Sequence, residues 1–170
     1  MIKKTWTCLM FMALFILAAG SSFAAVNIVY DGGRGWTQGS SDGATVVMPT
    51  SNSCGYDGKM RYAYGTGSGS HFWGQWANPG YDPSEDSMWQ YSVYIPGCNT
   101  SAKVKYEVWR GYSKSEVSID QNQYSNDWVS LGTFFIPGSN QGGESKIRLT
   151  TSGVSNVLTV GWDEAQFSNN

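Results

Sequence analysis

The sequence predicts an all-β chain folded as a two-sheet sandwich of the jelly-roll type, and three observations carry that reading. Between residues 102 and 136, apolar side chains recur at every second position in three consecutive runs. Runs of Gly, Ser, Asn and Thr separate such segments along the whole chain, and charged residues make up only 14% of it. No apolar stripe has the spacing of an amphipathic helix. An amphipathic sheet of three antiparallel strands cannot bury its apolar face alone, so a second sheet must cover it.

Each element follows from local pattern. Val26 to Tyr30 is a strand stopped by Asp31-Gly32-Gly33, and Trp36 lies in a short segment ahead of a Gly39–Gly43 turn. Ala44 to Met48 is expected as a strand ending at Pro49, and residues 51–58 as a loop carrying Cys54. Arg61–Tyr64 and His71–Trp76 flank a small polar turn; in the second, Phe72 and Trp76 share one face, with His71, Trp73 and Gln75 on the other. Residues 78–86 form a long Pro/Gly/acidic loop. Met88 to Ile95 follows, with Trp89, Tyr91, Val93 and Ile95 turned inward. The three central runs centre on Val104-Tyr106-Val108, on Val117-Ile119, and on Trp128 through Ile136. Ile147 and Leu149 mark a further strand, and Asn156 to Phe167 the closing one. Trp89, Tyr91, Tyr106 and Trp128 are expected in the core.

The first residues set the compartment. Lys3 and Lys4 precede an apolar run, Leu9 to Ala19, and Ser22-Phe23-Ala24 offers small residues at the positions a signal peptidase reads. The run is shorter than the roughly 18–20 residues of a spanning helix. Residues 1–24 are therefore expected to be a cleaved signal peptide and residues 25–170 one mature domain, exported to the periplasm or beyond the cell. Without Lys3 and Lys4, 9 basic side chains face 13 acidic ones, a net charge of −4 that speaks against nucleic acid as partner. Two cysteines, Cys54 and Cys98, are left in that exported chain, and a disulfide between them is expected.

Several short motifs resemble the golvesin C-terminal / xanthan lyase carbohydrate-binding-like family of bacterial proteins. They are Val117-Ser118-Ile119-Asp120-Gln121, Trp128-x-x-Leu131-Gly132-Thr133-Phe134, Asp31 followed by Gly35-Trp36-Thr37, Tyr56-x-Gly58 leading to Arg61-Tyr62, and a terminal apolar strand interrupted by Asp163. The resemblance implies a galactose-binding-like β-sandwich that binds glycans and uses Arg61 and Tyr62 structurally. This chain departs from the pattern in carrying the Cys54/Cys98 pair, in a longer 78–86 loop, and in placing Trp162 before Asp163.

Chemistry needs a constellation of groups, and the sequence offers none. His71 is the sole histidine and no nucleophile-elbow motif accompanies it. Asp163 and Glu164, adjacent on one expected strand, should point to opposite faces. Asp82, Glu85 and Asp86 could offer oxygen ligands to Ca²⁺, but their spacing matches no EF-hand and a solvated loop is the plainer reading. No enzyme activity, cofactor or metal is expected. Aromatics are the informative residues: the mature chain holds seven Trp, ten Tyr and four Phe. Trp73 and Trp109 fall in the polar phase of their strands, Tyr112 in a turn, Tyr81 in the long loop and Trp36 in the Gly-Trp-Thr element. These five form the expected ligand-binding set, for a neutral or mildly charged polysaccharide stacked on exposed rings. The alternative is a structural surface protein whose aromatic patch docks a protein partner.

Overall fold

A computed structural model describes residues 24–43, 47–138 and 143–169. The expected signal peptide, through residue 23, and residues 44–46 of the expected Ala44–Met48 strand lie outside them. Twelve strands make up the fold: β1 (Val26–Val29), β2 (Trp36–Ser40), β3 (Thr50–Ser51), β4 (Met60–Tyr64), β5 (Phe72–Ala77), β6 (Ser87–Ile95), β7 (Lys103–Gly111), β8 (Ser113–Asp120), β9 (Asp127–Ile136), β10 (Glu144–Thr150), β11 (Thr159–Trp162) and β12 (Ala165–Asn169). No α-helix occurs among the described residues, and a single 3-10 turn covers Gln121–Gln123. Among the described residues no helix is long and apolar enough to cross a membrane. The all-β sandwich expected from alternation is the fold the chain adopts.

Strands assemble into a four-stranded sheet in the order β1-β12-β6-β9, a five-stranded sheet β2-β5-β10-β7-β8 and a small sheet β11-β4-β3, all antiparallel. The inward phases of the two larger sheets meet in one core. Trp76 comes from β5, Trp89, Tyr91, Val93 and Ile95 from β6, and Val104, Tyr106 and Val108 from β7, with Ile147, Leu149, Trp162 and Phe167 closing it. Some of the buried polar groups are satisfied along the way. The Trp76 indole donates to the Asp163 carbonyl at 2.8 Å, and buried Gln121 donates to the Tyr106 hydroxyl at 2.8 Å and the Gly161 carbonyl at 2.9 Å.

Four expectations are corrected. The three central runs do not form one sheet: β7 pairs with β8, whereas β9 crosses to the opposite layer and pairs with β6. The buried Gln121 turn makes that crossing, and period-2 alternation is blind to which sheet a strand joins. Val47 and Met48 lie outside any strand, and Thr50–Ser51 pairs with β4 instead. The single closing strand is two strands in different sheets, β11 and β12, broken at Asp163-Glu164. Trp128 is not core: it shares the outward phase of β9 opposite Tyr94 and is half-buried there.

Candidate functional site

The outward face of the five-stranded sheet brings two of the expected residues together. Trp73 on β5 and Trp109 on β7 flank β10, which contributes Lys146, Arg148 and Thr150 to the same face. Trp73 stands opposite Thr150, and Lys146 opposite Trp109. The two rings are therefore two strands and four residues apart, on the order of 16 Å. Both are half-buried rather than bare. Trp73 lies so close over Gly39 that a Cβ there would sit 2.7 Å from the ring, and only glycine permits the contact. Its open side carries the Arg148 guanidinium, 4.6 Å from the ring centroid. Trp109 is approached by the Lys146 ammonium at 5.1 Å and that of Lys114 at 5.8 Å. Its indole donates to Glu107 at 3.4 Å, and Glu107 also pairs with Lys114 at 2.7 Å. That ammonium holds the Glu107 carboxyl below the ordinary carboxylate range, against the upward push of burial. Beside Arg148, a groove of about 390 Å³ runs past Lys103, Lys105, Glu107 and Thr150.

The other expected residues divide. Tyr112, 69% exposed, sits at the β7–β8 turn beyond Trp109. Tyr81 is half-buried against the core with its hydroxyl enclosed and unpartnered; burial first, then the nearby Tyr112, pushes its pKa up. Trp36 belongs to the core side of its strand. It packs edge-on against Trp76 at 5.0 Å, over Gly74, where a Cβ would come within 2.2 Å of the Trp36 ring. In the 78–86 loop, Asp82 accepts from the Ser84 amide and hydroxyl, and Asp86 accepts from the Gly138 amide at 2.6 Å. Those carboxylates are spent on turn geometry and do not converge.

A second constellation was not legible. Where the final strand breaks, Asp163 and Glu164 are both buried, and their carboxylate oxygens and one of Asp31 lie within 4.8 Å of one another. The expectation of opposite faces fails because the pair occupies the break between β11 and β12, not a regular strand. Arg61 meets Asp31 at 3.1 Å. Burial lifts Asp31 to about 7, against the pull of Arg61 and with the help of Asp163. Burial likewise raises the Asp163 and Glu164 carboxyls, and the neighbouring Asp163 charge pushes Glu164 further up. An oxygen-only trio is the ligand type of hard cations such as Ca²⁺.

The same carboxylates position a loop. Asp163 accepts the Tyr56 amide at 3.0 Å, and the Cys54–Cys98 disulfide, with a Cα–Cα distance of 6.4 Å, ties this loop to the end of β6. Tyr56, 45% exposed, then packs edge-on with Tyr94 and Trp128, all three ring pairs lying 5.2–5.5 Å apart. The outward phase of Tyr94 was readable from β6; the approach of Tyr56, from a loop distant in sequence, was not.

Sheet order, an aromatic and cationic sheet face, and a loop end stapled by a disulfide together define an antiparallel β-sandwich. No family model matches the sequence, and no curated protein matches it. Among solved structures the chain is similar to the xanthan lyase of Paenibacillus, with a TM-score of 0.59 and 16% identity over 84% of this chain and 13% of that one. The fold expected from the sequence resemblance is thus the fold found, and the chain spans about an eighth of that enzyme's length. Looser likenesses are the family 11 carbohydrate-binding module of Clostridium thermocellum (TM-score 0.45, 10% identity, 85% and 94% of the two chains) and the K1 adhesin domain of Lys-gingipain from Porphyromonas gingivalis (0.44, 12%, 86% and 95%).

Proposed function

We propose that residues 25–170 are an exported, non-catalytic bacterial module that binds polysaccharide across the outward face of the five-stranded sheet. The observation that carries this reading is the placement of Trp73 and Trp109 on that single face, bordered by a groove and by exposed Tyr112. Rings held rigid by their neighbours offer contact area to a sugar at little entropic cost. The Cys54–Cys98 disulfide fits an oxidising compartment, and with it export after cleavage behind Ala24. Among the described residues no nucleophile–base pair accompanies the face: the carboxylate cluster is buried at the loop end, and His71 immediately precedes β5 with its backbone bonded to Ser41.

A protein-docking role has one observation of its own. Met88 and Phe135, 41% and 51% exposed, stand opposite each other on the outward side of the four-stranded sheet. The two readings separate in one experiment, a screen of the mature protein on immobilised polysaccharides with assay of the supernatant for released sugar. Retention on at least one polysaccharide without release of reducing ends is expected. Retention on none would favour docking, and release would make the protein an enzyme.

A further inference from the structure

We infer that the polysaccharide is anionic, and that Arg148 is the residue that pairs with its carboxylates. The inference rests on the glycan-binding reading above and narrows its ligand class. Charge is divided unevenly over the molecule. The outward face of the five-stranded sheet carries Lys103, Lys105, Lys114, Lys146 and Arg148 against four carboxylates; the rest of the mature chain has 4 basic side chains against 9 acidic. In a net-negative protein, this is the face where cations prevail, and it is where an anionic polymer meets the least repulsion.

The pairing within the face decides which cations are left for a ligand. Glu107 is engaged by Lys114 and the Trp109 indole, Glu116 by Lys105 at 3.2 Å, and Glu144 by Lys146. Asp120 caps the Asn122 amide at 3.2 Å. Arg148 and Lys103 form no ion pair among the described residues. Arg148 has its Nε enclosed without a hydrogen-bond partner, which leaves the terminal nitrogens of the guanidinium to meet a ligand. Trp73 restrains its pose: the guanidinium carbon lies over the indole ring, 4.6 Å from its centroid, a cation–π contact that limits how the group can swing. A fork so held matches a carboxylate in two parallel hydrogen bonds, which an ammonium cannot do. The rings therefore act less as bare stacking plates than as holders of cations. Lys103 lies two same-face steps further along the register, on the order of 13 Å away, with the groove between. Spaced cations across a groove suit a chain with recurring acidic sugars rather than a single acidic residue.

The test is affinity electrophoresis of the mature protein in gels cast with polygalacturonate, dextran sulfate or a neutral mixed-linkage β-glucan, for wild type, Arg148→Gln, Arg148→Lys and Lys103→Gln. Polygalacturonate should retard wild type, less so as salt is raised. Arg148→Gln should weaken that binding about tenfold or more, Arg148→Lys nearly as much, and Lys103→Gln by a smaller factor, with the melting midpoint of Lys103→Gln unchanged. Should Arg148→Gln unfold, weaker binding by folded Lys103→Gln still supports the inference, and unchanged binding overturns it. Retention by the neutral glucan alone, insensitive to Arg148→Gln, would keep the glycan reading and overturn the anionic one. Equal retention by dextran sulfate with Arg148→Lys matching wild type would reduce the face to an ion exchanger and overturn the fork. No retention in any gel would remove the glycan reading itself.

Discussion

Two regions of this molecule gather charge, and they do so under opposite conditions. On the five-stranded face, ammonium and guanidinium groups lie over Trp73 and Trp109, and the ammoniums of Lys114 and Lys146 pair with Glu107 and Glu144. At the loop end, Asp31, Asp163 and Glu164 are withdrawn from water, and Arg61 pairs with Asp31. Exposed pairs of the first kind contribute about 0–1 kcal/mol to folding. Buried charges of the second kind change stability with every proton and every partner they lose. The face is therefore where substitution should alter binding, and the loop end where it should alter folding.

The comparison is broken most severely by removing the staple at the loop end. Replacing both Cys54 and Cys98 by Ser opens a link across 44 residues and should cost about 4 kcal/mol in the chain-entropy model. Urea unfolding of the double variant measures it. The same variant should bind polysaccharide normally where folded, because no face residue contacts the bridge.

The next effect is a dependence on pH with a definite sign. Asp31 titrates near 7 in the folded protein against 3.8 when exposed, so between those values the folded state holds a proton that the unfolded chain has lost. Stability therefore falls as pH rises through that window, and the raised Asp163–Glu164 pair deepens the loss. Urea midpoints at pH 5 should exceed those at pH 8, and Glu164→Gln should narrow the gap. A midpoint that rises with pH would show that the cluster is not held protonated.

How far the sequence reached differs between the regions in the same way. The face was legible: Trp73, Trp109, Lys146 and Arg148 all occupy the polar phase of alternating strands, and alternation is a local property. That the rings would be covered by cations was not, since β5, β7 and β10 meet only through sheet order. The loop end escaped almost wholly. Its carboxylates come from residues 31, 163 and 164, and the break that turns the last two together looks in sequence like one continuous strand. Trp128 was misplaced for a related reason: the turn at Gln121 and the bulge beside Gly132 reset the phase of β9.

The smallest expected effect on folding belongs to the face, and it carries the central claim. Trp73→Ala and Trp109→Ala remove half-buried rings and should cost about 1 kcal/mol of stability each, against about 3–5 kcal/mol for Trp89→Ala in the core. The direct measurement is retention on the polysaccharide that holds wild type, with urea midpoints determined for the same preparations. The account predicts that Trp73→Ala and Trp109→Ala lose retention while remaining folded, and that folded Cys54→Ser/Cys98→Ser keeps it. Full retention by both folded tryptophan variants, or loss of folding in them as deep as in Trp89→Ala, would contradict it.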